Sequence, residues 1–220
     1  MTSPPAMRRM RAAKRLLVFA KAPRAGSVKT RLAPLLGAHG AADLQAKLIE
    51  HTLEHARIAA AGALELHADF PDDRFLIECA ARHDAMLVPQ RGADLGERMR
   101  NAFARALVEE RRAAAVLIGV DCPALTAAHL QRALEVLGEG HDAVIAPAED
   151  GGYVLIGLAR FDSSVFEGIA WSTDAVMEQT RERLRALRWR WCELETLWDV
   201  DRPADYARLI DSRPLAGALD

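Results

Sequence analysis

The residue types best suited to chemistry are concentrated in one loop that follows the first apolar run of the chain. Lys21, Arg24, Lys29 and Arg31 place four cations within eleven residues, and Gly26 lies among them. Cationic side chains together with accessible backbone amides are what a phosphate chain requires. The spacing does not match the nucleotide-binding motif G-x-x-x-x-G-K-S/T. The segment is therefore either a phosphate-binding loop or a solvated basic loop, and composition does not separate the two.

A single carboxylate, that of Asp121, follows the most apolar run of the chain. An Asp at the end of a buried strand is presented to the edge of the sheet, where its oxygens suit Mg²⁺ or Mn²⁺. The alternative is that Asp121 caps the next turn, since Asp is a favoured turn residue. Its neighbour Cys122 is predicted to be a small core residue, because no particular His is placed beside it.

Two later segments add carboxylates and glycines. Asp150 precedes Gly151 and Gly152, which permit either close approach of a ligand to the backbone or a tight turn. Asp150 could bind hydroxyls, a metal, or only water. Asp199 and Asp201 alternate, so they project to the same side if the segment is extended. One of them is a candidate second metal ligand, and the other is a candidate cap for the helix predicted next.

Hydrophobic patterning predicts the elements that must position these residues. Short apolar runs bounded by turn residues predict strands at 15–20, 64–68, 85–88, 114–120, 143–146, 153–158 and 190–194. Apolar positions three and four residues apart predict helices at 41–60, 72–82, 94–107, 126–137, 173–187 and after 203. Strands that alternate with helices predict an α/β protein with three layers, α/β/α, and a mostly parallel sheet. The first loop, residues 90–96 and Asp121 would then meet at the carboxyl ends of the strands, where such sheets bind ligands.

Composition excludes several classes of protein. The chain has 220 residues, of which 50% are hydrophobic, enough for one compact domain with a sizeable core. A net charge of -2 argues against a nucleic-acid partner. No apolar run is long enough to span a bilayer. The three cysteines have neither zinc-site nor disulfide spacing, which indicates a reducing compartment and a cytoplasmic protein. Residues 1–14 are predicted to be a disordered leader, and 15–212 a single domain.

Six segments together resemble a known bacterial family, the glycosyltransferase-A-like proteins, also called selenodomain-associated or arsenosugar-associated transferases. The matching segments are 19–32, 90–99, 118–125, 147–158, 166–172 and 199–203, in order over nearly the whole chain. The resemblance implies the nucleotide-diphospho-sugar transferase fold, which is Rossmann-like, for 15–212. The chain is also similar to 2-phospho-lactate guanylyltransferase and to the molybdenum-cofactor guanylyltransferases. Those enzymes share a basic first loop, an Asp after the central strand and a late Asp.

The resemblance also implies roles for the candidate residues. The catalytic candidates are Asp121, Lys29 and Asp150. The nucleotide-binding candidates are Lys21, Arg24, Gly26, Lys29, Arg31, Gln90 and Asp94. The candidates for binding the acceptor or sugar are Gly151, Gly152, Tyr153, Trp171 and Ser172. The candidates for holding Mg²⁺ or Mn²⁺ are Asp121, Asp199 and Asp201.

The implied function is that of a metal-dependent transferase using a nucleotide-activated donor. The first hypothesis is glycosyl transfer from a nucleotide-diphospho-sugar to an unknown small-molecule acceptor. The second is nucleotidyl transfer from a nucleoside triphosphate with release of pyrophosphate; the four cations and the absence of D-x-D after the central strand favour it. In both, a metal and fixed cations would neutralise charge on the departing phosphate. The third hypothesis is a nucleotide-binding protein without turnover, which would need no ordered metal carboxylates.

Overall fold

The computed structural model describes residues 14–60 and 64–212. Of the predicted leader, all but Lys14 lies outside the described residues. The described chain forms a sheet of seven strands, in the spatial order β3-β2-β1-β4-β6-β5-β7. Its strands are Arg15–Ala20 (β1), Leu64–Ala68 (β2), Met86–Pro89 (β3), Ala115–Ile118 (β4), Ala143–Pro147 (β5), Tyr153–Leu158 (β6) and Trp191–Glu193 (β7).

The sheet is mostly parallel, as the sequence predicts. The pairs β1–β2, β2–β3, β1–β4 and β5–β7 are parallel, whereas β6 runs antiparallel to both β4 and β5. The start of β6 therefore lies at the same edge of the sheet as the ends of β1 and β4. Loops that are distant in the sequence meet at that edge.

The helices are Ala33–Ala60 (α1), Arg74–Arg82 (α2), Leu95–Phe103 (α3), Ala127–Gly138 (α4), Val176–Ala186 (α5) and Pro203–Ser212 (α6). The first helix begins earlier than the predicted residue 41, because a short helical segment precedes a break at Gly37, where φ is 72°. Helix α3 continues into a π-helical segment, Ala104–Glu109. None of the helices in 14–60 and 64–212 has the length and apolarity needed to cross a membrane.

Alternating side chains of the strands divide the core between the two faces of the sheet. Leu16 and Val18 of β1 pack in a cluster that includes residues of α1, α2 and α4. Leu17 and Phe19 pack on the other face with residues of α3 and α5. Each fully buried side chain of this kind stabilises the fold by about 1.5–3 kcal/mol. The predicted three-layer α/β/α architecture is confirmed.

A third, smaller cluster positions the late aspartates. Trp198 and Val200, on either side of Asp199, are buried together with Leu44 and Leu48 of α1 and Leu209 of α6. The two apolar side chains anchor the segment between the first helix and the last. Asp199 is consequently held in one place at the end of the sheet.

Candidate functional site

A cavity of about 660 Å³ lies at the edge of the sheet where β1 and β4 end and β6 begins; we call it the cleft. The cleft brings together ten of the residues predicted from the sequence, namely Lys21, Lys29, Arg31, Gln90, Asp94, Asp121, Tyr153, Ser172, Asp199 and Asp201. The six predicted residues outside its lining are Arg24, Gly26, Asp150, Gly151, Gly152 and Trp171. A volume of this size is in the range of pockets that hold small molecules, roughly 300–1,000 Å³.

Lys29 joins the two acidic segments of the cleft. Its Nζ donates to Asp121 Oδ1 at 2.5 Å and to the carbonyl oxygen of Val200 at 2.6 Å. The backbone N–H of Val200 in turn donates to the carbonyl oxygen of Asp121 at 2.8 Å. The Lys29 side chain is only 5% exposed, whereas that of Asp121 is 52% exposed. Two of the three ammonium donors are therefore committed to the protein, and one is left for a ligand.

Asp199 is the most perturbed acid of the cleft. Burial, followed by repulsion from Asp150 and Asp121, raises its pKa from 3.8 to about 7, and Lys29 opposes the shift. Its Oδ1 is buried and has no hydrogen-bond partner among the described residues. Asp201 also contributes repulsion, although it forms an ion pair with Arg31. Three carboxylates of the cleft and the neighbouring Asp150 are thus close together, and the nearby cations do not fully compensate them.

The acid cluster fits a divalent cation at Asp121 and Asp199. Within residues 14–60 and 64–212, no three His, Cys, Asp or Glu side chains are already arranged as a metal site. Nevertheless, the unpartnered Oδ1 of Asp199 and its raised pKa are what a cation would relieve, since positive charge favours the ionised carboxylate. Neither Asp199 nor Asp201 accepts from an N–H of α6 among the described residues; Asp205, in the first turn of α6, accepts through Oδ2 from the backbone N–H groups of Asp201 and Arg202.

The first loop presents less free positive charge than its composition suggests. Arg24 is directed away from the cleft: its Nε lies 3.2 Å from Asp73 Oδ2, and its guanidinium stacks over the ring of Phe70. Gly26 takes a left-handed conformation, φ 80°, in an exposed turn. Lys21 is exposed and has no hydrogen-bond or ion partner among the described residues. Lys21 is accordingly the loop cation most available to a phosphate.

Gln90 and Asp94 both have structural roles in the wall of the cleft. Gln90 Nε2 donates to the carbonyl oxygens of Ala20 and His67, and so ties the ends of β1 and β2 together. Asp94 caps α3, because its Oδ1 accepts from the N–H of Glu97 at 2.8 Å. Both side chains therefore shape the wall of the cleft, and nucleotide binding by them stays a prediction.

Arg98 is a cleft residue that the sequence did not single out. Its Nη1 donates to Gln90 Oε1 at 3.2 Å, and it lines the cleft. The available signal was its position four residues after Asp94, which places the two on one face of a helix. Arg98 joins Lys21 as a cleft cation without a carboxylate partner among the described residues.

Residues 150–153 form a tight turn beside the acid cluster. Asp150 Oδ1 accepts from the N–H of Gly152 at 2.9 Å. Gly151 has φ 89°, and a Cβ there would lie 2.4 Å from the carbonyl oxygen of Asp174, so only glycine fits. Burial raises the pKa of Tyr153, which keeps its proton and is therefore unsuited to act as a base. The turn places Asp150 close enough to affect Asp199 without lining the cleft.

Cys122 does not take part in the chemistry of the cleft as a nucleophile. Burial, reinforced by the charge of Asp199, raises the pKa of its thiol to about 12. The thiolate is the reactive form, so the buried thiol is inert near neutral pH. This agrees with the prediction that Cys122 is a core residue.

Replacing Lys29 by Met tests whether the ammonium holds the two acidic segments together. We expect Lys29→Met to lower the free energy of unfolding by about 1–3 kcal/mol, between the values for an exposed and a buried ion pair. Hydrogen exchange at the Val200 amide should also accelerate. The control is Lys21→Met, which removes an exposed, unpaired charge and should change neither quantity. Equal stability and exchange for Lys29→Met and the wild type would contradict this role.

The raised pKa of Asp199 predicts a pH dependence of stability in protein freed of metal with EDTA. The folded state binds the Asp199 proton more tightly than the unfolded state, so the free energy of unfolding should fall as pH rises from about 4 to about 7. Asp199→Asn cannot ionise, and its stability should fall less over that range. Chemical denaturation at a series of pH values measures the difference, with the exposed Asp211→Asn as control. Parallel profiles for Asp199→Asn and the wild type would show that Asp199 is ionised at little cost.

Comparison with known proteins places the chain in a family. The family model described as "Uncharacterized protein conserved in bacteria (DUF2064)" matches residues 52–173, which is more than half of the chain. A crystal structure from Desulfovibrio desulfuricans G20, provisionally assigned as a nucleotide-diphospho-sugar transferase, is 31% identical with a TM-score of 0.76. The match covers 93% of this chain and 96% of that one. A search of curated proteins found no match.

Two more distant structures show the fold alone. 4-Diphosphocytidyl-2C-methyl-D-erythritol synthase is 15% identical with a TM-score of 0.60, over 91% of this chain and 97% of that chain. CMP:2-keto-3-deoxy-manno-octonic acid synthetase, in complex with CTP, is 10% identical with a TM-score of 0.57, over 92% and 99%. The predicted nucleotide-diphospho-sugar transferase fold is therefore confirmed. By its family match and its full-length relative, the chain belongs to the bacterial family DUF2064.

Proposed function

We propose that this protein is a transferase that takes a sugar from a nucleotide-diphospho-sugar and passes it to a small-molecule acceptor. Residues 15–212 act as one transferase domain. The observation that carries the proposal is the convergence of Lys21, Lys29, Asp121 and Asp199 in one cleft at the carboxyl ends of the strands. The provisional assignment of the 31% identical relative as a nucleotide-diphospho-sugar transferase supports the same reaction.

The ion pairs of the first loop favour a diphosphate donor over a triphosphate. Three of the four cations counted in the sequence have carboxylate partners: Arg24 with Asp73, Lys29 with Asp121, and Arg31 with Asp201. Of the cations that line the cleft, Lys21 and Arg98 have no carboxylate partner among the described residues. A triphosphate carries more negative charge than a sugar-linked diphosphate, so it suits this cleft less well.

A divalent ion, Mg²⁺ or Mn²⁺, would be held by Asp121 and Asp199, with Asp201 as a further candidate. When bound, it would supply charge neutralisation on the departing nucleoside diphosphate. Lys21 and Arg98 would contact the phosphates, and Lys29 would keep Asp121 and the segment around Asp199 in place. During transfer the bond between the sugar carbon and the diphosphate oxygen breaks, the acceptor oxygen bonds to that carbon, and the hydroxyl proton of the acceptor is released to water.

Further roles are proposed for the turn beside Asp199. Asp150, beside Asp199 and exposed, is proposed as a catalytic residue, and Gly151, Gly152 and Tyr153 as the border of the sugar site. The assignment to the selenodomain-associated or arsenosugar-associated subgroup rests on the six sequence segments alone. We also propose a cytoplasmic location, since Cys79, Cys122 and Cys192 are free thiols.

Slow hydrolysis, with water as acceptor, identifies the bond that the cleft activates. The full chain with Mn²⁺ is incubated separately with common nucleotide sugars and with each nucleoside triphosphate, and products are identified by mass spectrometry. We expect a nucleoside diphosphate and free sugar from at least one nucleotide sugar. Asp121→Asn should lose this activity while keeping its fold, whereas Asp211→Asn should retain it.

The other two hypotheses correspond to distinct results. Pyrophosphate released from a triphosphate, with all nucleotide sugars intact, would replace glycosyl transfer by nucleotidyl transfer. The third hypothesis, a nucleotide-binding protein without turnover, predicts two results together. Calorimetry would show nucleotide binding that Asp121→Asn does not change, and neither nucleotide sugars nor triphosphates would be turned over. Addition of Mn²⁺ should raise the melting temperature of the wild type and not that of Asp121→Asn, because a ligand of the native state stabilises it.

A further inference from the structure

A second cavity, of about 240 Å³, adjoins the cleft on the far side of Trp171; we call it the side cavity. It is formed by the first turns of α3 and by residues 166–171, and Asp94 lines both cavities. Its volume lies below the roughly 300 Å³ at which pockets begin to hold drug-sized ligands. A molecule in the side cavity would be small and next to the donor.

Trp171 and Tyr153 together form the partition between the two cavities. A Cβ built on Gly96 would lie 2.3 Å from Trp171 Nε1, so the edge of the indole rests directly on the backbone of α3. On its other side the indole meets the ring of Tyr153 edge to face, with 6.4 Å between centroids. Tyr153 and Ser172 line the cleft, whereas Trp171 lines the side cavity. Gly96 is required here because any larger residue would displace the indole.

The loop that carries Trp171 is fixed by its own hydrogen bonds. The N–H of Ala170 donates to Gln179 Oε1 at 2.7 Å, and Thr173 Oγ1 donates to the carbonyl oxygen of Ala170 at 2.7 Å. Ser172 adopts a left-handed conformation, φ 67°, which is strained for a residue with a side chain. Strain of this kind is characteristic of ligand sites, where the surrounding structure maintains it. The partition is therefore preformed.

The polar groups of the side cavity are mainly acceptors. Asp94, Glu97 and Glu167 contribute three carboxylates, against the single guanidinium of Arg100. Asp94 accepts from the Glu97 N–H, Glu97 from the Ala93 N–H, and Glu167 from the Ser163 hydroxyl. Each carboxylate therefore uses one oxygen in a local hydrogen bond. The guanidinium of Arg100 and the indole N–H of Trp171 have no hydrogen-bond partner among the described residues. Carboxylates that accept, the donor groups of Arg100 and an aromatic ring suit hydroxyl groups, and the excess negative charge repels phosphate.

We propose that the side cavity binds the acceptor, and that the acceptor is a small, neutral, polyhydroxylated molecule such as a free sugar or polyol. Trp171 provides its apolar contact, and the carboxylates of Glu97 and Glu167 accept from its hydroxyls. Asp94 marks the opening through which one hydroxyl reaches the donor. The role as acceptor site rests on the proposed glycosyl transfer, but the binding of a polyol does not.

The four indole N–H groups of the chain allow binding to be followed at one residue. In ¹⁵N-labelled protein, the Trp171 resonance is the one absent from Trp171→Phe. Titrations use glucose, myo-inositol and glycerol as neutral probes and glycerol 3-phosphate as the anionic probe. We expect at least one neutral probe to shift the Trp171 resonance saturably, and glycerol 3-phosphate to bind about tenfold more weakly than glycerol or not at all. No saturable shift with any neutral probe, or equal binding of glycerol and its phosphate, would overturn the proposal.

Gly96→Ala tests whether the position of the indole matters for binding, and Gly138→Ala is the matched control. Gly138 also lies in a helix, but a Cβ there meets only the flexible end of Lys14. We expect Gly96→Ala to lose polyol binding while its melting temperature shows a folded protein, and Gly138→Ala to bind normally. Undiminished binding by Gly96→Ala would also overturn the site. A parallel calorimetric titration with nucleotide sugars separates the hypotheses, since polyol binding without donor binding would refute the proposed function alone.

Discussion

The arrangement of the cleft depends on one ammonium group, that of Lys29. It bonds to a carboxylate 92 residues later in the chain and to a carbonyl 171 residues later, and so fixes two loops relative to the first. Because the side chain is almost fully buried, its charge acts where water screens it little. Asp121 and Asp199 would repel each other at close range without it. Lys29 therefore allows acidic residues to be concentrated at the end of the sheet.

The same charge balance supports the proposed cation site. The pairs Lys29–Asp121 and Arg31–Asp201 compensate two of the carboxylates. Asp199 has no such cation partner: its pKa is raised, and its buried Oδ1 has no hydrogen-bond partner among the described residues. Perturbed acids in clefts are candidates for function because a fold rarely keeps such a group without a compensating role. In this account, the nucleotide donor and its metal provide the compensation.

Much of the scaffold could be predicted from local sequence patterns. The apolar runs that became β1 and β4 end in turn residues; because these strands are parallel and β6 is antiparallel to β4, the loops after β1 and β4 meet the loop before β6 at one edge. Ten predicted residues accordingly line one cleft. The partners of individual side chains could not be predicted, because periodicity does not say which distant residue a side chain will meet. Arg24 belongs to the basic loop in sequence but pairs with Asp73 in space. The contact of Trp171 with Gly96 likewise depends on the folding of two distant segments.

The central claim is that Asp121 and Asp199 together hold a divalent cation beside the phosphates of a nucleotide. Anomalous diffraction from crystals grown with Mn²⁺ and a nucleoside diphosphate, either uridine or guanosine diphosphate, tests it most directly. We expect one strong manganese peak in contact with both carboxylates, with the diphosphate between that peak and Lys21. Manganese bound away from both aspartates, or a diphosphate located outside the cleft, would contradict the account.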